Sequence, residues 1–252
     1  MKKAEGRNDM GEKAFVVGRM YKENDPDMPE EYRQFMIKLL KYVHIENSGN
    51  PYCREVVANI ASAGLRYAPD GKSALTEAVI VKQEAEHGEI VAKLIRSFGE
   101  SPEVEKEVGQ YAFKIPLESW CDVAWFHMLI DRVGLYVGIE WMSSTYEPLA
   151  KVSPRLEKEE LFHATAGFKH LQNIVKTEAG RKEAQALLHK WWPAALDMFG
   201  RSDSRNSEIY VKWGIKAKTN KQLREQYIAE TVPLIEQLGL EVPDHLANRK
   251  YL

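Results

Sequence analysis

The chain has 252 residues, 44% hydrophobic and 29% charged, enough for one large globular domain with a sizeable core. Its 35 basic and 37 acidic residues leave a formal net charge of -2 with no long basic run, which removes the electrostatic case for nucleic acid. Cys53 and Cys121 are too few for a disulfide framework, the most apolar run (Val123 to Ile130) is too short to span a bilayer, and MKKAEGRNDMGEK lacks the apolar segment of a secretory signal, so a cytoplasmic protein without a membrane role is expected.

Helical periodicity dominates, and no stretch alternates with period two. Residues 1–27 are polar and are expected to form a poorly ordered N-terminal segment. A first helix is predicted from near Pro29 through YRQFMIKLLKYVHIE, followed by a break at Asn47-Ser48-Gly49-Asn50-Pro51. A second helix over about 52–67 turns at Ala68-Pro69-Asp70-Gly71 into a third that ends near Phe98-Gly99. Pro116 suits a first helical position, and LESWCDVAWFHMLIDRVGLYVGIEWM reads as one long helix. After Pro148 the next helix opens at Ser153-Pro154 and runs to about Thr177, with Gly180 just beyond its end. Helices over 181–199 and 219–238 follow. The expected architecture is all-α, a four-helix bundle over 28–180 with C-terminal helices over 181–252 packed on it.

One helix carries an anomaly. Every third or fourth residue of ALTEAVIVKQEAEHGEIVAKLI and its continuation gives Ile80, Glu84, His87, Val91, Leu94 and Phe98, an apolar stripe interrupted by a glutamate and a histidine. Burying a carboxylate without a partner costs several kcal/mol, roughly, so compensation is required. The helix after Ser153 repeats the pattern: Leu156, Glu160, His163, Gly167, Leu171 and Ile174. Two inward Glu-x-x-His pairs across a bundle are the donor arrangement of di-iron and di-manganese carboxylate proteins, which add one carboxylate from each remaining helix.

Those two carboxylates can be sought by spacing. Asp131 is the only acid in the stripe Ala124, Met128, Asp131, Leu135, Gly138 and Met142, and it precedes Glu160 by 160 − 131 = 29 residues. Counting 29 back from Glu84 gives Glu55. Glu46, preceded by Leu39 and Val43, competes with it; Glu55 is preferred because it stands about as far before the Pro69 turn as Glu84 stands after it. A lone Glu-x-x-His is commonly a surface pair, and Arg54 and Arg132 adjoin Glu55 and Asp131 as ordinary ion-pair partners. Two inward motifs with matched carboxylates favour a metal pair. His44, His127, His170 and His189 read as packing or supporting residues, the cysteines as small buried hydrophobes, and Trp191 and Trp192 as core or interface. Four carboxylates and two imidazoles suit iron or manganese better than zinc or copper, and four anions would balance two divalent ions.

QEAEHG, WFHMLIDRVG, KEELFH, WWPAALDMFG and TNKQLREQYIAETVPLIEQLGLEVPD together resemble the catalytic A subunits of bacterial phenylacetyl-CoA epoxidases, over about Pro29 to Asp244. The resemblance implies a ferritin-like fold with Glu55, Glu84, His87, Asp131, Glu160 and His163 as catalytic iron ligands. It also implies epoxidation of the aromatic ring of an acyl-CoA by dioxygen, electrons from a flavin and iron-sulfur reductase, and a related, non-catalytic, ferritin-like partner subunit. The NSGNPY break lengthens the segment before Glu55 relative to that family, so Glu46 stays in contention.

Overall fold

The computed structural model describes residues 18–46, 51–103 and 110–251, without the side chains of 44–46 and 51–56. Among the described residues the regular structure is helical apart from one isolated bridge between Tyr21 and Tyr146. The helices are α1 (Glu30–Glu46), α2 (Pro51–Tyr67), α3 (Gly71–Ser97), α4 (Trp120–Trp125), α5 (Arg132–Met142), α6 (Glu147–Ile174), α7 (Glu178–Asp197), α8 (Arg205–Lys212) and α9 (Asn220–Gln237). The fold is a ferritin-like helical bundle, as expected. Among the described residues, no helix is long and apolar enough to cross a membrane.

Local chemistry explains most boundaries. Asp70 caps α3 by accepting from the Ser73 amide at 2.7 Å, Ser119 caps α4, Thr177 caps α7, and Thr219 with Gln222 forms a reciprocal capping box on α9. The long helix predicted over 117–142 is interrupted: α4 passes into a π-helical turn, Phe126–Asp131, before continuing as α5. All six residues of that turn are buried. A widened turn of this kind is common at functional sites.

Several expectations need correction. Helix α6 begins at Glu147, with Pro148 in its first turn, and runs through Pro154 instead of opening there. Pro154 has no N–H to give the Ala150 carbonyl, and beside it the Ser153 hydroxyl donates to the Leu149 carbonyl at 2.7 Å. Gly180 lies inside α7, where a Cβ would stand 2.1 Å from the Ile174 carbonyl oxygen; its role is close approach and not helix termination. Met142, placed on the inward stripe, is 40% exposed because the stripe ends one turn earlier. Tyr21, within the segment expected to be poorly ordered, is buried: its amide donates to the Thr145 carbonyl and its carbonyl accepts from Glu147.

The core is divided. One apolar cluster gathers Ile60, Met128 and Leu171 with Trp191, Trp192 and Tyr227 of the C-terminal helices. The other gathers Met36 and Leu40 of α1 with Val91, Leu94, Trp141 and Leu156. Between them, α3 and α6 run antiparallel, so that Gln83 meets His163 and His87 meets Glu159, and together they contribute a polar layer.

Candidate metal centre

Atoms of Glu84, Asp131, Glu160 and His163 lie within 4.8 Å of one another, a donor set that could hold a metal ion. Glu84 comes from α3, Asp131 from the last residue of the π-helical turn, and Glu160 and His163 from α6. His87 joins them: its Nδ1 stands 3.3 Å from Glu160 Oε1 and 3.8 Å from Glu84 Oε2. Across the site, His163 Nδ1 stands 2.9 Å from Glu84 Oε1, 3.6 Å from Glu160 Oε2 and 3.8 Å from Asp131 Oδ2. Five of the six sequence-predicted residues are thus brought together. Glu55 is in α2 and its competitor Glu46 ends α1, but both side chains lie outside the described residues, as do those of Cys53 and His44.

The imidazoles are held from behind. His163 Nε2 pairs with Gln83 Oε1 at 2.9 Å, and His87 Nε2 pairs with Glu159 Oε2 at 2.8 Å. Since Gln83 Oε1 can only accept, Nε2 of His163 carries a proton, which leaves Nδ1 as the nitrogen that faces the carboxylates and would be available to a metal. Metal-bound histidines are oriented in this way by an acceptor on the opposite nitrogen. The arrangement is reciprocal. Gln83 precedes the glutamate of the α3 motif and holds the α6 histidine; Glu159 precedes the glutamate of the α6 motif and holds the α3 histidine. Periodicity does not single out either residue, because each lies one position off the inward stripe.

The structure also separates the metal reading from a simple ion pair. Arg132 donates to the Met128 carbonyl, while Asp131 pairs with His127 Nδ1 at 2.6 Å. Glu160 Oε2 and His163 Nδ1 are buried without a hydrogen-bond partner, although carboxylate oxygens surround the imidazole. Orphaned donor atoms of this kind fit a cation coordinated between them. Gly134 makes room: a Cβ there would meet Glu160 Cδ at 2.8 Å. Gly167 lets α6 approach the π-helical turn, since a Cβ would lie 2.4 Å from the Met128 amide nitrogen.

Protonation follows from crowding. Burial opposes charge on His87, but Glu160 and Glu84 outweigh it and push the imidazole up to about 9. For His163 burial is likewise outweighed by Glu160 and Glu84, giving about 11. Burial would raise Glu160, yet the adjoining His163 and His87 imidazoles hold it below the usual carboxylate range. Asp131 is raised by burial, with His127 acting against the shift. With protons as the counter-charge, the two histidines become cations; a divalent metal would take over that role.

Two further buried residues belong to the polar layer. Glu77, wholly buried, accepts from His127 Nε2 at 2.9 Å, and His170 Nε2 stands 4.0 Å from its other oxygen. Periodicity reaches Glu77 only when the α3 stripe is extended one turn back from Ile80. His127 stands between Glu77 and Asp131 and His170 beside Glu77; Trp191 and Trp192 are core, Cys121 is buried, and His189 is exposed.

A cavity of about 500 Å³ opens onto this centre. Glu84, His87, Asp131 and Glu160 line its inner end, and Phe126, Ile130 and Val133 are among its apolar walls. Lys38, Arg201 and Lys216 also line it; Lys38 and Arg201 are exposed and mark its outer end.

A sequence model described as phenylacetic acid catabolic protein matches residues 105–251, more than half of the chain. The A component of the 1,2-phenylacetyl-CoA epoxidase of Escherichia coli (strain K12) is 34% identical over 135 residues. That alignment covers 52% of this chain and 44% of the relative, so the chain spans less than half of that relative's length. The family match takes in Asp131, Glu160 and His163, whereas Glu84 and His87 precede it.

Proposed function

The chain belongs to the phenylacetic acid catabolic protein family, and from that premise we propose that it is a di-iron oxygenase subunit that epoxidises the aromatic ring of phenylacetyl-CoA or a related acyl-CoA. The carrying observation is the pair of inward imidazole Nδ1 atoms, His87 and His163, set among Glu84, Asp131 and Glu160 with both outer nitrogens held. These five residues would hold two iron ions, with Glu55 supplying the sixth ligand and Glu46 as its competitor; manganese suits the same donors. Iron bound there would supply the redox chemistry that activates dioxygen.

The chain's own residues do the rest. The apolar wall of Phe126, Ile130 and Val133 takes the ring of the substrate and keeps water from the carboxylates. At the outer end Lys38 and Arg201 provide positive charge suited to the phosphates of a CoA thioester. Two electrons per turnover come from a separate flavin and iron-sulfur reductase, and a related non-catalytic ferritin-like subunit is the structural partner. A non-catalytic role for this chain would fit lost ligands; the five described positions are filled.

The test is anaerobic reconstitution with ferrous iron, followed by one chemically reduced turnover with phenylacetyl-CoA under isotopically labelled dioxygen. About two iron ions per chain and one labelled oxygen atom in the thioester product are expected. Less than about half an iron per chain after reconstitution overturns the metal reading, and a loaded centre that leaves the thioester unchanged overturns the substrate.

A further inference from the structure

Glu77 demands a reason for being where it is. It lies two turns before Glu84 on α3, is wholly buried, and meets no lysine or arginine among its described contacts. A buried carboxylate and imidazole of this kind contribute little to stability; apolar residues of similar volume often serve a fold better. Yet three elements are arranged around it. The π-helical turn supplies His127, α6 supplies His170, and α2 supplies Gly64, where a Cβ would stand 2.6 Å from Glu77 Oε2. Glycine is therefore required opposite the carboxylate, so the packing is built to admit Glu77.

His127 has carboxylates on both sides. Its Nε2 bonds Glu77 Oε2 at 2.9 Å and its Nδ1 bonds Asp131 Oδ2 at 2.6 Å. Both neighbours accept, so both ring nitrogens donate, and the ring is fixed in plane and direction. We propose that Glu77 and His127 are positioning residues for the metal centre: Glu77 aligns the His127 ring, and the ring ties down Asp131 so that its carboxylate is presented in one orientation toward Glu84, Glu160 and His163. Gly64 is the third part, since it leaves the space in which Glu77 sits. The inference rests on Asp131 being a metal ligand. It goes beyond the ligand set because it assigns a role to residues on α2, α3 and the π-helical turn that are outside that set.

The experiment titrates the chelator-treated full chain with cobalt(II), following the visible ligand-field spectrum and the number of ions bound. The variants are Asp131→Ala, the isosteric Glu77→Gln, and Gly64→Ala, which displaces Glu77 without altering it. Glu77→Gln and Gly64→Ala are each expected to weaken cobalt binding roughly 10–100-fold and to shift the spectrum in the same direction. In an Asp131→Ala background neither should have a further effect, because their influence passes through that carboxylate. A merely structural role would instead persist in that background. Unchanged affinity in both single variants, or equal losses with and without Asp131, overturns the proposal. If Asp131→Ala itself binds cobalt as the parent does, the ligand assignment fails first, and the two failures are distinguishable.

Discussion

Replacing Gly134 by alanine should separate metal affinity from fold stability. The added Cβ would lie 2.8 Å from Glu160 Cδ and 2.9 and 3.0 Å from its two oxygens. Ordinary contact begins near 3.4 Å, so the carboxylate must retreat by roughly 0.6 Å, whereas metal–oxygen distances tolerate only about ±0.2 Å. The metal-free chain can accommodate the change by turning the flexible glutamate side chain. It also gains helix propensity, since glycine in a helix interior is roughly 0.5–1 kcal/mol less favourable than alanine. Cobalt or iron affinity should therefore fall at least ~10-fold, while the melting temperature of the chelated protein stays level or rises. Isothermal titration and thermal melts on the same preparations test both arms. Unchanged affinity, or a loss of metal-free stability above about 1 kcal/mol, would refute the view that glycine is there to make room for a ligand.

Titration gives predictions of opposite sign for two states. His87, His127 and His163 are raised from 6.5 to about 9, about 10 and about 11, so in metal-free protein they contribute stability that is full below pH 6.5 and is lost as pH rises through those values. The urea midpoint of chelated protein should fall between pH 7 and 11, and a flat profile would contradict the assigned contacts. Metal must displace protons from His87 and His163, so apparent metal affinity should instead rise with pH up to about 11, measured by competition with a chelator. Asp197 is fully buried and accepts from Tyr111 Oη, Arg249 Nε and the amides of Lys250 and Tyr251; Asp197→Ala strands the buried guanidinium and should cost about 3–5 kcal/mol in denaturant unfolding. Gly167→Ala meets backbone of the π-helical turn and should destabilise by at least ~2 kcal/mol, in contrast to Gly134→Ala.

The centre is legible in the sequence because its anomalies fall on the helical period. Glu84, His87, Glu160 and His163 interrupt stripes whose other members are buried or nearly so, and Asp131 is the only acid on its own stripe. Gln83 and Glu159 are not legible for the same reason: they sit beside the stripe, and their partners depend on the antiparallel register of α3 and α6. Glu77 and His170 lie within reach, two turns from Glu84 and from His163 on the same faces. The start of α6 is misread because Ser153-Pro154 has the chemistry of a helix opening, whereas tertiary contacts carry the helix through it. The π-helical turn leaves no mark in the periodicity, since packing against Gly167 sets it as much as its own residues do.

The polar layer has a direction. On one side of the centre, His87 and His163 are held by groups near the partly open faces of α3 and α6, Glu159 being tied in turn to Arg155 at 3.0 Å. On the other side, Asp131 is held by His127 and Glu77, both 0% exposed. The cavity reaches Glu84, His87, Asp131 and Glu160 but is not lined by Glu77 or His127. On the proposed function, substrate would approach the centre from the cavity side, with the buried pair on the other. A carboxylate ligand that moved with each substrate would need freedom on the cavity side alone; on the proposed ligand set, tying Asp131 down from the interior would leave Glu84 and Glu160 as the carboxylates free to respond.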